Sequence, residues 1–164
     1  MMERTLVIVK PDGVQRALVG KIISRFEDAG FKIVGLKMKW ADRDFAMKHY
    51  TEDLARRRGE HVRKQMVEFI SSGPVIAVVL EGVNAVQNVR KITGDTQPMA
   101  ALPGTIRGDF SHVSYEYADS KKIPVKNIIH ASSRPDDAKA EIALWFGKDE
   151  LHSYKSVHDE HTLK

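Results

Sequence analysis

Leu6-Val7-Ile8-Val9, running into Lys10-Pro11-Asp12-Gly13, is the stretch on which the fold turns. Four apolar residues in a row, with no polar alternation and a proline stop, mark a strand buried on both sides. Val75 to Leu80, opened by Gly73-Pro74, reads the same way. Between the two, Ile22, Ile23, Phe26 and Ala29 recur at helical spacing, and Gly30 sits where that helix would end. Val34, Leu36, Met38 and Trp40 alternate with Gly35, Lys37 and Lys39, which predicts a half-buried strand. Asp42 is placed to cap a short helix over residues 43–49. Val62, Met66, Phe69 and Ile70 predict a helix, as do Val83, Val86, Val89 and Ile92, and Ala138, Ile142, Trp145 and Phe146. Residues 95–110, with Pro98, Pro103, Gly104 and Gly108, are expected to form a long functional loop, and Val113 to Tyr117 the last strand. The order fits an α+β protein, a ferredoxin-like antiparallel sheet with one layer of helices packed on it. A doubly wound parallel sheet is the competing arrangement. Residues 1–150 then form one domain, and residues 151–164 a polar, irregular tail.

The chain's 164 residues are enough for one real core. The absence of cysteine excludes disulfides, thiolate catalysis and cysteine-based zinc sites. No apolar run approaches the roughly 18 residues of a membrane span. Met1-Met2-Glu3-Arg4 leads straight into a strand, so no signal peptide is expected and the cytoplasm is the default location. The net charge of +4 suits an anionic substrate without requiring one. Arg56-Arg57-Arg58 with Arg63-Lys64 reads as a solvated face, so nucleic acid is not an expected partner. His158 and His161 flank Asp159-Glu160, and metal binding is not expected there.

Chemistry-bearing residues cluster in three segments. Lys10 leaves the first strand at a turn, at the sheet edge where ligands bind. In Pro103-Gly104-Thr105-Ile106-Arg107-Gly108-Asp109-Phe110, two glycines allow close backbone approach and Arg107 offers a forked donor for phosphate oxygens. Arg90 and Thr96 lie just upstream. In Asn127-Ile128-Ile129-His130-Ala131-Ser132, His130 follows two bulky apolar residues and should leave the core at a strand-to-helix junction, where an imidazole can attack phosphorus. Alone, each has a plainer reading as a turn, a surface ion pair or a structural histidine. No GxxxxGK[ST] pattern occurs, so phosphates are not held by a P-loop.

Taken in order, Lys10-Pro11-Asp12-Gly13-Val14-x-Arg16, Leu18-Val19-Gly20, His49-Tyr50, Ser72-Gly73-Pro74, Pro103 to Phe110 and Asn127-x-x-His130-x-Ser132 resemble the nucleoside diphosphate kinase family from about residue 3 to 150. The resemblance implies ping-pong transfer of the γ-phosphate of a nucleoside triphosphate (ATP, GTP and others) to His130, then to a nucleoside diphosphate. It implies Mg2+ bridging the nucleotide phosphates, with no direct metal ligand from the protein. Lys10, Arg90, Thr96 and Arg107 would hold phosphates, Lys10 and Asn127 the sugar, and Tyr50 would lie beside the histidine. Glu141, with help from Ser132, would orient His130. The resemblance implies a homo-oligomer, a hexamer or a tetramer, with the hexamer expected.

Three departures stand out. The family's Lys-Pro-Phe-Phe, one Phe of which stacks on the base, is absent, and Val62 falls in its place with Met66 in a neighbouring leucine place. The Ser111–Lys126 segment is longer than usual, with Pro124 where a base-contacting apolar residue belongs. The family's His-Gly-Ser-Asp is His130-Ala131-Ser132-Ser133, and Ser133 is expected to replace the aspartate as the cap of the following helix. A nucleotide-binding module without catalysis and an oligomeric scaffold are the alternatives. Retention of His130 with its cations and Glu141 argues against both.

Overall fold

The computed structural model describes residues 1–163, so Lys164 of the expected tail lies outside the described residues. Four strands, β1 Met2–Val9, β2 Lys32–Lys39, β3 Val75–Val83 and β4 Ile129–Ala131, form an antiparallel sheet in the order β2-β3-β1-β4. The helices are α1 Pro11–Gln15, α2 Val19–Asp28, α3 Arg43–His49, α4 Glu52–Arg58, α5 Glu60–Ile70, α6 Ala85–Thr93, α7 Ile106–Phe110, α8 Tyr115–Lys121, α9 Pro135–Trp145 and α10 Val157–His161. This is the ferredoxin-like α+β arrangement, not a parallel sheet.

The unbroken apolar runs of β1 and β3 have a simple cause. Leu6 and Ile8 face one core with Val75, Ala77 and Val79, beneath Ala46, Ile70 and Trp145 of α3, α5 and α9. Val7 and Val9 face a second core with Ile76, Val78 and Leu80, beneath Ile22, Val89 and Ile106 of α2, α6 and α7. Helices therefore cover both sheet faces, where the sequence reading expected one layer.

β2 departs from its expected alternation. A bulge between Ile33 and Gly35 leaves Val34 as the extra residue and shifts the phase by one. Val34 is buried in the first core, whereas Leu36 and Met38 pair with Val78 and Ile76 and stand 50% and 62% exposed. Trp40 is 67% exposed beside them.

Three further expectations are corrected. Residues 113–117 do not form the last strand. Ser114 Oγ accepts the Tyr117 N–H at 3.1 Å and starts α8, while the last strand is the three-residue β4. The 95–110 loop contains a 3₁₀ turn at Pro98–Ala100 and α7, whose Thr105 cap accepts the Gly108 N–H at 3.1 Å. The tail is not irregular throughout: His152 N donates to Val34 O at 2.8 Å, and α10 is anchored by Lys32 to Asp159 at 3.1 Å.

Candidate active site

The end of β1 and the strand β4 interlock to build the site. The Lys10 N–H donates to Ile128 O at 2.7 Å, and the Ile128 N–H donates to Asp12 Oδ2 at 3.0 Å. Between these clamps Ile128 sits at φ 72°, a left-handed conformation that a β-branched residue rarely adopts and that costs on the order of 1–3 kcal/mol. The kink turns Asn127 toward Lys10, whose Nζ donates to Asn127 Oδ1 at 2.7 Å. Asn127 Nδ2 in turn donates to Thr96 O at 2.8 Å.

Arg107 is fixed by three backbone carbonyls. Its Nε, Nη1 and Nη2 donate to Asn127 O at 3.2 Å, Gly94 O at 3.0 Å and Ile129 O at 2.6 Å. The predicted close approach holds at Gly108, where a Cβ would collide with the Leu102 carbonyl, and not at Gly104, where a Cβ would meet open space and a φ of 88° is what favours glycine. Burial, then the nearby Arg90 charge, lowers Arg107 to about 10. Burial, then Arg107, lowers Lys10 to about 7. The Lys10 amine and the Arg107 guanidinium are thus held in place together, and an arriving anion would favour their charged forms.

His130 lies in β4, opposite Ile8 of β1 and just ahead of α9, at the expected strand-to-helix junction. Its Nε2 is 3.0 Å from Glu141 Oε2, which also accepts the Ser132 hydroxyl at 2.5 Å. Burial would raise Glu141, but the His130 charge and the hydrogen bonds from His130 and Ser132 outweigh it and hold the carboxyl at about 2. Helix α9 begins one residue later than the sequence reading expected. Its N-cap is Arg134, without a side-chain cap bond, so Ser133 is not the cap. Arg134 instead pairs with Asp137 at 3.1 Å.

A cavity of about 820 Å³ is lined by Lys10, Tyr50, Val62, Arg90, Thr96, Arg107, Asn127, His130 and Glu141, whereas Ser132 is buried and bonds Glu141. Tyr50 is buried, which pushes its phenol up, and its hydroxyl has no partner among the described residues. His49, quoted in the His49-Tyr50 motif but given no role, matters more than its sequence signal suggested. Its ring stands edge-on to His130 with centroids 4.7 Å apart, and its Nδ1 accepts the Trp145 indole N–H at 3.2 Å. Burial, then the His130 charge, lowers it to about 3, so it stays neutral and fences the His130 ring. Tyr115 and Arg58 also line the cavity, where the sequence reading had put Tyr115 in the last strand and Arg58 on a solvated face.

Buried cations converging on a carboxylate-held imidazole at a sheet edge suit one class of work, the movement of a phosphoryl group between anions. The comparisons with known proteins agree. The family model described as nucleoside diphosphate kinase matches residues 3–151, and the chain belongs to that family of phosphotransferases. A nucleoside diphosphate kinase of Pyrococcus horikoshii is 48% identical over 157 residues, covering 96% of this chain and 93% of the relative. A nucleoside-diphosphate kinase of Borrelia burgdorferi, solved as a transition-state mimic with bound vanadate and ADP, superposes with a TM-score of 0.94 at 45% identity, covering 96% of this chain and 95% of that one. An NDP kinase from Pyrobaculum aerophilum gives 0.87 at 36% identity, over 93% of this chain and 100% of that one.

Proposed function

We propose that this chain transfers the γ-phosphate of a nucleoside triphosphate to a nucleoside diphosphate in two steps, with His130 as the carrier. One observation carries the reading: the 3.0 Å contact of His130 Nε2 with Glu141. An ionised carboxylate only accepts, so in the neutral ring the proton sits on Nε2 and the lone pair on Nδ1. In the first step the Nδ1–P bond forms as the bond from the γ-phosphorus to the bridging oxygen breaks, and the diphosphate leaves. A second diphosphate reverses the step. Lys10, Arg90 and Arg107 offset the charge on the transferring group, Thr96 assists, Asn127 holds the sugar with Lys10, and the Tyr50 hydroxyl lies beside the histidine. Val62 offers only apolar contact to the base. The vanadate and ADP bound by the Borrelia burgdorferi relative support this reading.

Mg2+ fits as a cofactor held through nucleotide phosphates. The phosphate end is lined by cations, and the nearest group of ligating side chains, His49, His130 and Glu141, is nitrogen-rich and engaged by Trp145 and Ser132. When bound, the ion neutralises charge on the phosphates. We further read residues 1–150 as the catalytic domain and 151–164 as a tail. The exposed row Leu36, Met38 and Trp40 supports a homo-oligomer, with a hexamer as the expected size. No helix among the described residues is long and apolar enough to cross a membrane, and a cytoplasmic location accords with that.

Incubation with labelled ATP alone should leave acid-labile, alkali-stable phosphate on the wild type and none on His130→Gln. The mutant should fold normally. Exchange by His130→Gln above a hundredth of the normal rate, a barrier change below about 2.7 kcal/mol, would rule out the carrier role.

A further inference from the structure

One wall of the cavity carries the apolar side chains Leu54, Val62, Met66, Ile123 and Pro124, with Arg57, His61 and Gln65 among them. Two segments build this wall, the α4–α5 hairpin and the stretch from α8 to Val125. They are tied together where Gln65 Nε2 donates to Lys122 O at 3.3 Å. Two phenol rings line the cavity among the described residues. Tyr50 is buried and packed edge-on to His49 at 4.7 Å, so it belongs to the phosphate end. Tyr115 is half-buried and is the first residue of α8, with its N–H donating to Gln97 Oε1 at 2.9 Å. Across the mouth, the exposed Arg58 at the end of α4 holds its guanidinium 5.8 Å from the Tyr115 ring centroid.

We infer that Tyr115 is the platform on which the nucleobase stacks, with Arg58 as a displaceable cover over its face; this rests on the nucleotide-transfer reading above. A base sandwiched between the two would need roughly 7–8 Å, twice the contact distance between carbon atoms. The present gap is narrower, so Arg58 swings aside as a base enters. That exchange is favourable, because a cation–π contact at an exposed site is weak and stacking on an aromatic ring is stronger. Every base has a π-face, so such a platform accepts many bases and favours the larger purines.

The test is the calorimetric Kd for ADP together with KM and kcat for ADP, GDP and CDP, in wild type and variants. Tyr115→Ala should raise Kd and KM for the purine diphosphates by about tenfold, and for CDP by less, with kcat nearly unmoved. Tyr115→Phe should restore wild-type values, and Arg58→Ala, which removes the cover a base must displace, should lower KM. If Tyr115→Ala does not fold, Tyr115→Leu, which keeps bulk and removes the π-face, carries the same expectation. An unchanged Kd in Tyr115→Ala, a loss confined to kcat, or failure of Tyr115→Phe to rescue would overturn the platform. A wild type that acquires no phosphate from ATP would overturn the kinase reading instead, and the ADP Kd would still judge Tyr115.

Discussion

The two ends of the cavity are built differently. At the phosphate end, Lys10, Arg107 and Asn127 are each less than a tenth exposed and bonded into backbone or to one another. At the base end, α4 buries no residue and α8 buries only Ala118, and the walls meet through one hydrogen bond and one cation–π contact. Phosphate chemistry is the same for every nucleotide, so its grip can be rigid. The base varies, so its wall is free to give. Local stability tracks buried contacts, and the second region has few.

Two arginines sharpen the contrast most. Arg107→Ala strands three carbonyls that its guanidinium satisfies and should cost on the order of 2–3 kcal/mol, lowering the melting temperature by about 5–10 °C. Arg58→Ala, at the other end, should stay within about 0.5 kcal/mol of wild type. Equal melting temperatures for the two variants would erase the distinction.

Lys10→Met should remove activity yet raise stability near neutral pH, by roughly 1–2 kcal/mol. The folded-state pKa of about 7 lies below the ordinary lysine value of 10.5. Between those values the unfolded chain binds more protons, so the Lys10 contribution to wild-type stability improves as pH rises through the window and worsens as pH falls toward 7. The advantage of Lys10→Met should therefore be largest below pH 7 and fade toward pH 10.5. Urea melts at pH 6, 8 and 10 check this, and a destabilised variant at pH 6 would show that the buried ammonium is not a strained charge.

The smallest effect is expected at Ser133. Because Arg134 is the N-cap, Ser133→Ala should change stability by no more than about 0.5 kcal/mol, not the roughly 1 kcal/mol that losing a true cap costs. Thermal melts of the purified variant measure it.

Legibility in the sequence followed the same division. β1 and β3 declare themselves because burial on both faces leaves an unbroken apolar run, and α3 is announced by Asp42, which caps it at 2.8 Å as expected. The β2 face could not be read, because one bulge reverses the phase and leaves no mark in composition. β4 was legible only as a strand end at His130, without bounds or a place in the sheet, since three residues carry no period. It exists through pairing with β1, a contact across the whole chain. The phosphate-end residues were found through short motifs fixed by chemistry. His49 was hidden because its role depends on Trp145, 96 residues away. Tyr115 was hidden because the Ser114 cap was read as part of a strand.

β4 is the outer strand of the sheet, and outer strands offer carbonyls to which a stray chain can add. Here Arg107 occupies the carbonyl of Ile129 in β4 and that of Asn127 just ahead of it, so the cation that awaits a phosphate also plugs the open margin of the sheet. A chain lacking that plug would be prone to self-association through β4 on heating, and its turbidity would rise before the rest of the molecule had melted.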